Sequence, residues 1–169
     1  MKQMILIGFM GAGKSTVGKL LAQKVQLPYL DLDEYLEKKY NLSIDEYFSQ
    51  YGEASFREKE KNLLKELSQT EGVLSTGGGI ITNEESRSFL KNNPSVIYLK
   101  TSFDELLLRL KADQKNIRPM ILEKTEAEIN SLYLSRVIWY EDSAKIHVET
   151  TNRSLEAIVQ EIIEKAGDI

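Results

Sequence analysis

Residues 8–15, GFMGAGKS, fit the pattern G-x-x-x-x-G-K-[ST]. They follow the apolar run MILI and lead straight into STVGKLLAQKV, whose apolar residues recur at helical spacing. Strand, glycine loop and helix in that order make a phosphate cradle. Glycines let the backbone curl until consecutive N–H groups point inward, and the helix aims its positive end at the same anion. Gly11, Ala12, Gly13 and Thr16 belong to the wrap. Lys14 is placed to reach the β- and γ-phosphates of a nucleotide, and Ser15 to ligate Mg²⁺. A chance glycine turn with a lysine would not need this flanking order.

The rest of the chain has the matching rhythm. MILIG, LPYLDLD, VLST, VIYLK and KIHVE read as five strands. FDELLLRLK and LEAIVQEIIEKA read as amphipathic helices, as do stretches near residues 55–69 and 126–143. Alternating strands and helices, with continuous apolar runs in the first strands, predict an α/β fold whose parallel sheet is covered on both faces. No repeat, low-complexity tract or linker divides residues 1–169, so one domain is expected. Residues 111–124, KADQKNIRPMILEK, have little periodicity and read as a loop.

Composition removes several function classes. A net charge of −4 argues against a broad basic face for nucleic acid. No run of 18 apolar residues is present to span a membrane. The absence of cysteine excludes disulfides and thiolate metal sites and fits a reducing, cytoplasmic setting. The single histidine, His147, sits in a strand pattern and argues against a histidine-based zinc site. Size and the lack of an obvious apolar stripe favour a monomer.

Within the P-loop class, no N-K-x-D stands for guanine; TNRS lacks the aspartate. The apolar strand that ends in carboxylates is LPYLDLD. Asp31 and Asp33, two apart on a strand, are expected to project to one side at its carboxyl end, where open α/β sheets bind ligands. Asp31 is the candidate Mg²⁺ carboxylate, direct or through water. Asp33 is the candidate for an acceptor hydroxyl, as base or as orienting group. Asp33 as a simple cap of the helix EYLEKKY is the competing reading.

In FREKE, Arg57 and Glu60 are three apart on a helix. A solvated surface pair is one reading. An arginine held by Glu60 toward an anionic ligand is the other. In RVIWY, Arg136 and Tyr140 share a helix face, as an amphipathic stem or as part of a site.

Taken in order, GFMGAGKST, DLD, FREKE, TGGG, the IRPM segment and RVIWY resemble the shikimate kinase family over essentially the whole chain. The resemblance implies a nucleoside monophosphate kinase-like, five-stranded parallel sheet. It implies transfer of phosphate from ATP to the 3-hydroxyl of shikimate, in aromatic amino-acid biosynthesis. Asp33 would bind the ring hydroxyls, including the one phosphorylated. Arg57 and Arg136 would clamp the carboxylate, a task for arginine's planar fork. Gly77, Gly78 and Gly79 would form a side-chain-free wall of the acceptor pocket. Residues 111–124 would be a lid that excludes water, with Arg118 stabilising the transferring phosphoryl. Arg109 and Arg153 match places of adenine contact. The lid reads RPMI where the family often has Arg-Pro-Leu-Leu, a small apolar change.

Two rivals set the discriminating features. A gluconate kinase would share the phosphate loop and fold, but the FRxxE spacing and the triple glycine favour shikimate. A nucleotide-binding regulatory module would be expected to lack Asp33, Arg118 or an acceptor arginine, and all are present.

Overall fold

The computed structural model describes residues 3–113, 121 and 123–167. All five expected strands form: β1 (Gln3–Ile7), β2 (Tyr29–Asp31), β3 (Gly72–Ser75), β4 (Val96–Lys100) and β5 (Ile146–Glu149). They make one parallel sheet in the order β2-β3-β1-β4-β5. β1, β3 and almost all of β4 are buried without alternation, as a sheet covered on both faces requires. β5 lies at the edge and alternates, with Ile146 and Val148 buried and His147 and Glu149 exposed.

Helices connect the strands: α1 (Lys14–Val25), α2 (Leu32–Tyr40), α3 (Ile44–Leu67), α4 (Glu84–Lys91), α5 (Phe103–Ala112), α6 (Glu126–Ser143) and α7 (Leu155–Ala166). α3 begins earlier than its periodicity predicts. Ser43 and Glu46 close a capping box at its start, and Gly52, at φ 79°, breaks the helix between its two apolar stretches. A short 3-10 turn, Ile80–Thr82, and α4 follow the triple glycine, and neither stands out in the sequence pattern.

Two expectations are corrected. β2 ends at Asp31, and Asp33 lies in the first turn of α2, so the two aspartates do not share a strand. The cap of α2 is Asp31, whose Oδ1 accepts from the amides of Asp33 (3.0 Å) and Glu34 (3.2 Å). Strand spacing misled because the capping carboxylate stops the strand where it starts the helix. The surface also carries an apolar feature that the sequence hid: Leu134 and Ile138, four apart on α6, are 59% and 71% exposed.

Sheet order decides where chemistry can occur. The register aligns Asp31 with Ser75 on β3, and Ser75 with Leu6 on β1. The carboxyl ends of β1, β2 and β3 therefore stand side by side, and the loops that leave them meet over one edge of the sheet.

Candidate active site

These loops enclose a cavity of about 630 Å³. One end is the phosphate loop. Gly13, at φ 91°, turns the chain into α1 without a side-chain cap, whereas all the other described α-helices are capped by Asp31, Ser43, Asn83, Ser102, Thr125 or Ser154. The first-turn amides of α1 are thus left for an external acceptor, which is what an anion site needs. Lys14 is buried and lies along the loop, donating to the carbonyls of Gly8 (2.7 Å) and Phe9 (3.0 Å). Ser75 Oγ on β3 fixes the start of α1 through the Lys14 carbonyl at 2.9 Å.

Asp31 joins this end to the other. While Oδ1 caps α2, its Oδ2 accepts from Tyr29 (3.0 Å) and Ser15 (3.4 Å). Burial pushes the Tyr29 hydroxyl above its ordinary range, so it remains a donor at neutral pH. Four donors leave the carboxylate little freedom. Tyr29 is a residue of the site that the strand pattern did not single out; its only signal is its place two residues before Asp31.

Asp33, on the first turn of α2, faces the triple glycine. A Cβ on Gly77 would stand 3.1 Å from Asp33 Oδ1 and 3.2 Å from Glu60 Oε2. A Cβ on Gly78 would stand 3.1 Å from the amide nitrogen of Met10 in the phosphate loop. A Cβ on Gly79 would collide with the Arg57 guanidinium. Each glycine therefore makes room for a different group of the protein itself. The glycine wall borders the cavity, and it also lets two carboxylates, an arginine and the phosphate loop converge there.

Arg57 is not a solvated surface group. Glu60 is 1% exposed and accepts from Arg57 Nη1 at 2.8 Å. The guanidinium also lies over the rings of Phe56 and Phe48, 5.3 and 5.8 Å from their centroids. Its Nε and that of Arg136 are buried without a hydrogen-bond partner among the described residues. Two desolvated cations facing one cavity suit a carboxylate ligand.

At the far end, Arg109 Nη1 donates to the Gly11 carbonyl at 2.9 Å. One oxygen of Glu105 also accepts from Arg109, and the other accepts from the Asn152 amide at 2.8 Å. Arg153 borders the same cavity, donating to the Glu149 carbonyl at 2.8 Å and pairing with Glu161. Every expected site residue among the described residues lines this one cavity. Arg118 lies outside the described residues, as does most of the expected lid. Lys111 and Ala112 continue α5, and Ile121 is buried against the cavity.

A family model described as shikimate kinase matches residues 10–166. The chain belongs to the shikimate kinase family. It is 51% identical over 165 residues to a shikimate kinase of Enterococcus faecalis, covering 98% of each chain. Its fold superposes, with a TM-score of 0.87 and 35% identity, on a shikimate kinase from Acinetobacter baumannii solved in complex with shikimate, covering 97% of this chain and 92% of that one. A gluconokinase from Sinorhizobium meliloti, at 16% identity and a TM-score of 0.58, shares the fold alone; it covers 98% of this chain and 92% of its own. Family membership matches what the ordered motifs imply, and the nucleoside monophosphate kinase-like architecture holds. No helix of the described residues is long and apolar enough to cross a membrane.

Proposed function

We infer that this protein transfers the terminal phosphoryl group of ATP to shikimate, giving shikimate 3-phosphate and ADP, a step of aromatic amino-acid biosynthesis. The observation that carries the assignment is the single cavity with an uncapped helix N-terminus at one end and Asp33, Arg57 and Arg136 at the other.

Phosphoryl transfer asks a protein mainly for positioning and charge stabilisation. The amides at the start of α1 and Lys14 receive the β- and γ-phosphates. Arg57 and Arg136 receive the shikimate carboxylate, Glu60 fixing the plane of the first. That anchorage presents a ring hydroxyl to Asp33, which orients it and accepts its proton as the new ester bond forms. Arg109 and Arg153 border the adenine, and Arg118 meets the transferring phosphoryl.

Ser15 and Asp31 offer two hard oxygen donors beside the phosphate loop, which fits Mg²⁺, an ion held by few protein ligands with phosphates and water completing its shell. No group of three or more His, Cys, Asp or Glu among the described residues is placed to hold a metal unaided, consistent with an ion that arrives with the nucleotide. Bound there, Mg²⁺ supplies neutralisation of phosphate charge.

Release of ADP by purified protein with Mg²⁺ and ATP tests the assignment. Shikimate should accelerate it strongly, whereas gluconate should leave it at the rate without acceptor. Acceleration by gluconate would keep the fold and overturn the acceptor. ATP binding with no acceleration by either would favour a regulatory module.

A further inference from the structure

The acceptor end contains a group that none of the roles above uses. Tyr140 is fully buried, one helical turn beyond Arg136 on α6. Its ring stacks on Tyr98 of β4, centroids 5.3 Å apart and planes 19° apart. Its hydroxyl donates to the carbonyl of Gly78. The Arg136 side chain lies beside that hydroxyl, and the charges of Arg57 and Glu60 are near enough to act on it. Burial, the largest influence, raises the hydroxyl above its ordinary range, so it stays protonated and keeps donating.

Its partner is the central residue of the glycine run. Gly77 is packed near Asp33 and Glu60, Gly79 against Arg57, and Gly78 against Met10 of the phosphate loop. With no side chains of their own, these three residues are held through their carbonyls: that of Gly77 accepts from Ile80 N (3.2 Å), that of Gly79 from Thr82 N and Oγ1 (3.0 and 2.7 Å), and that of Gly78 from Tyr140. The bond from Tyr140 ties their backbone to the helix that carries Arg136. It therefore fixes the distance between the arginine and the wall opposite Asp33.

We propose that Tyr140 is a positioning residue for the acceptor, its hydroxyl locking the Gly77–Gly79 backbone to α6 so that Arg136 and Asp33 engage opposite ends of one small carboxylated polyol. The proposal rests on the assignment of shikimate as acceptor. It makes Tyr140 selective: Gly78 also touches Met10, but the phosphate loop has its own ties, from Lys14 to the Gly8 and Phe9 carbonyls and from Ser75 to the Lys14 carbonyl, so nucleotide affinity is affected less than shikimate affinity.

Tyr140→Phe keeps the ring and removes the hydroxyl. Shikimate and ATP binding by the wild type and by this variant, measured by calorimetry, and KM and kcat for both substrates form the test, with melting temperature as a check on folding. Tyr98→Phe, which strips a hydroxyl from the stacked neighbour, controls for a general loosening of the core. Loss of one hydrogen bond to a buried carbonyl should raise the Kd and KM for shikimate about three- to tenfold in Tyr140→Phe. The ATP constants should stay within about twofold, and Tyr98→Phe should match the wild type for both ligands. Unchanged shikimate affinity in Tyr140→Phe would overturn the proposal, as would equal weakening of both ligands or equal effects of the two variants. A wild type that binds ATP but not shikimate is a different failure, since it removes the acceptor assignment and the proposal with it.

Discussion

Gly79 and Arg57 are fitted to each other so closely that a Cβ on the glycine would collide with Arg57 Nη2. The backbone there has φ −89°, which any residue adopts, so the constraint is space and not conformation. The guanidinium is the far end of a long side chain and can move aside only by giving up its bond to Glu60 and its place over two aromatic rings. Gly79→Ala should therefore displace Arg57 from its pair with Glu60. Steady-state kinetics should show the KM for shikimate raised about tenfold or more, as for loss of one charged hydrogen bond, with the KM for ATP little changed. An alanine variant with wild-type KM would show that Arg57 does not need this space.

Asp33 separates chemistry from folding. Asparagine at this position keeps the shape and the backbone of the first turn of α2, and the cap itself belongs to Asp31. Asp33→Asn should lower kcat by about 100-fold or more, the usual range for a positioned proton acceptor. Calorimetry should find ATP affinity unchanged, and thermal melting should stay within a few degrees. Activity within a few-fold of wild type would leave Asp33 without a catalytic role.

Asp31 serves two ends of the site, and two substitutions divide them. Asparagine retains an oxygen for the amides of Asp33 and Glu34, but gives up the charge beside Ser15. Asp31→Asn should melt near the wild type yet need more Mg²⁺ for half-maximal activity. Asp31→Ala should lose the cap as well, costing about 1 kcal/mol and lowering the melting temperature by about 2–4 °C. An unaltered Mg²⁺ requirement in Asp31→Asn would place the metal elsewhere.

Buried tyrosines set an alkaline limit. Burial raises Tyr98, Tyr133 and Tyr140 above the ordinary value of 10.0. Folded, they hold protons that the unfolded chain releases once the pH passes that value. Their contribution to stability is complete below pH 10.0 and falls as the pH climbs from there toward the folded values. Denaturant melts between about pH 9 and 12 should show this decline, with a shallower slope in Tyr98→Phe. Ultraviolet titration of phenolate that shows all eight tyrosines of the chain ionising near pH 10.0 without unfolding would contradict it.

Much of the fold was legible because its signals are local. Continuous apolar runs marked β1, β3 and β4, KIHVE marked the alternating β5, and the flanking of GFMGAGKS marked where the phosphate loop sits. The break at Gly52 and the short α4 were not legible, since each apolar stretch there is too brief to show a period. At the site, residue types at motif positions were legible, whereas their partnerships were not. Whether Arg57 and Glu60 make a surface pair or a buried one depends on what packs above them, and spacing along a helix carries no such information. The same holds for the triple glycine. Its lack of side chains was plain, but the three groups that occupy the space come from α2, α3 and the phosphate loop, brought together only by the sheet order. Tyr29 and Glu105 were missed for a related reason: each acts through another residue, at a distance that no short motif spans.

The fate of the phosphoryl group itself can be followed directly. Phosphorus NMR of a reaction containing the protein, Mg²⁺, ATP and shikimate resolves ADP, inorganic phosphate and a new phosphate ester. An ester on the 3-hydroxyl of shikimate should form in step with ADP, with little inorganic phosphate. ADP matched by inorganic phosphate, or no ester while ATP is bound, would contradict transfer to shikimate.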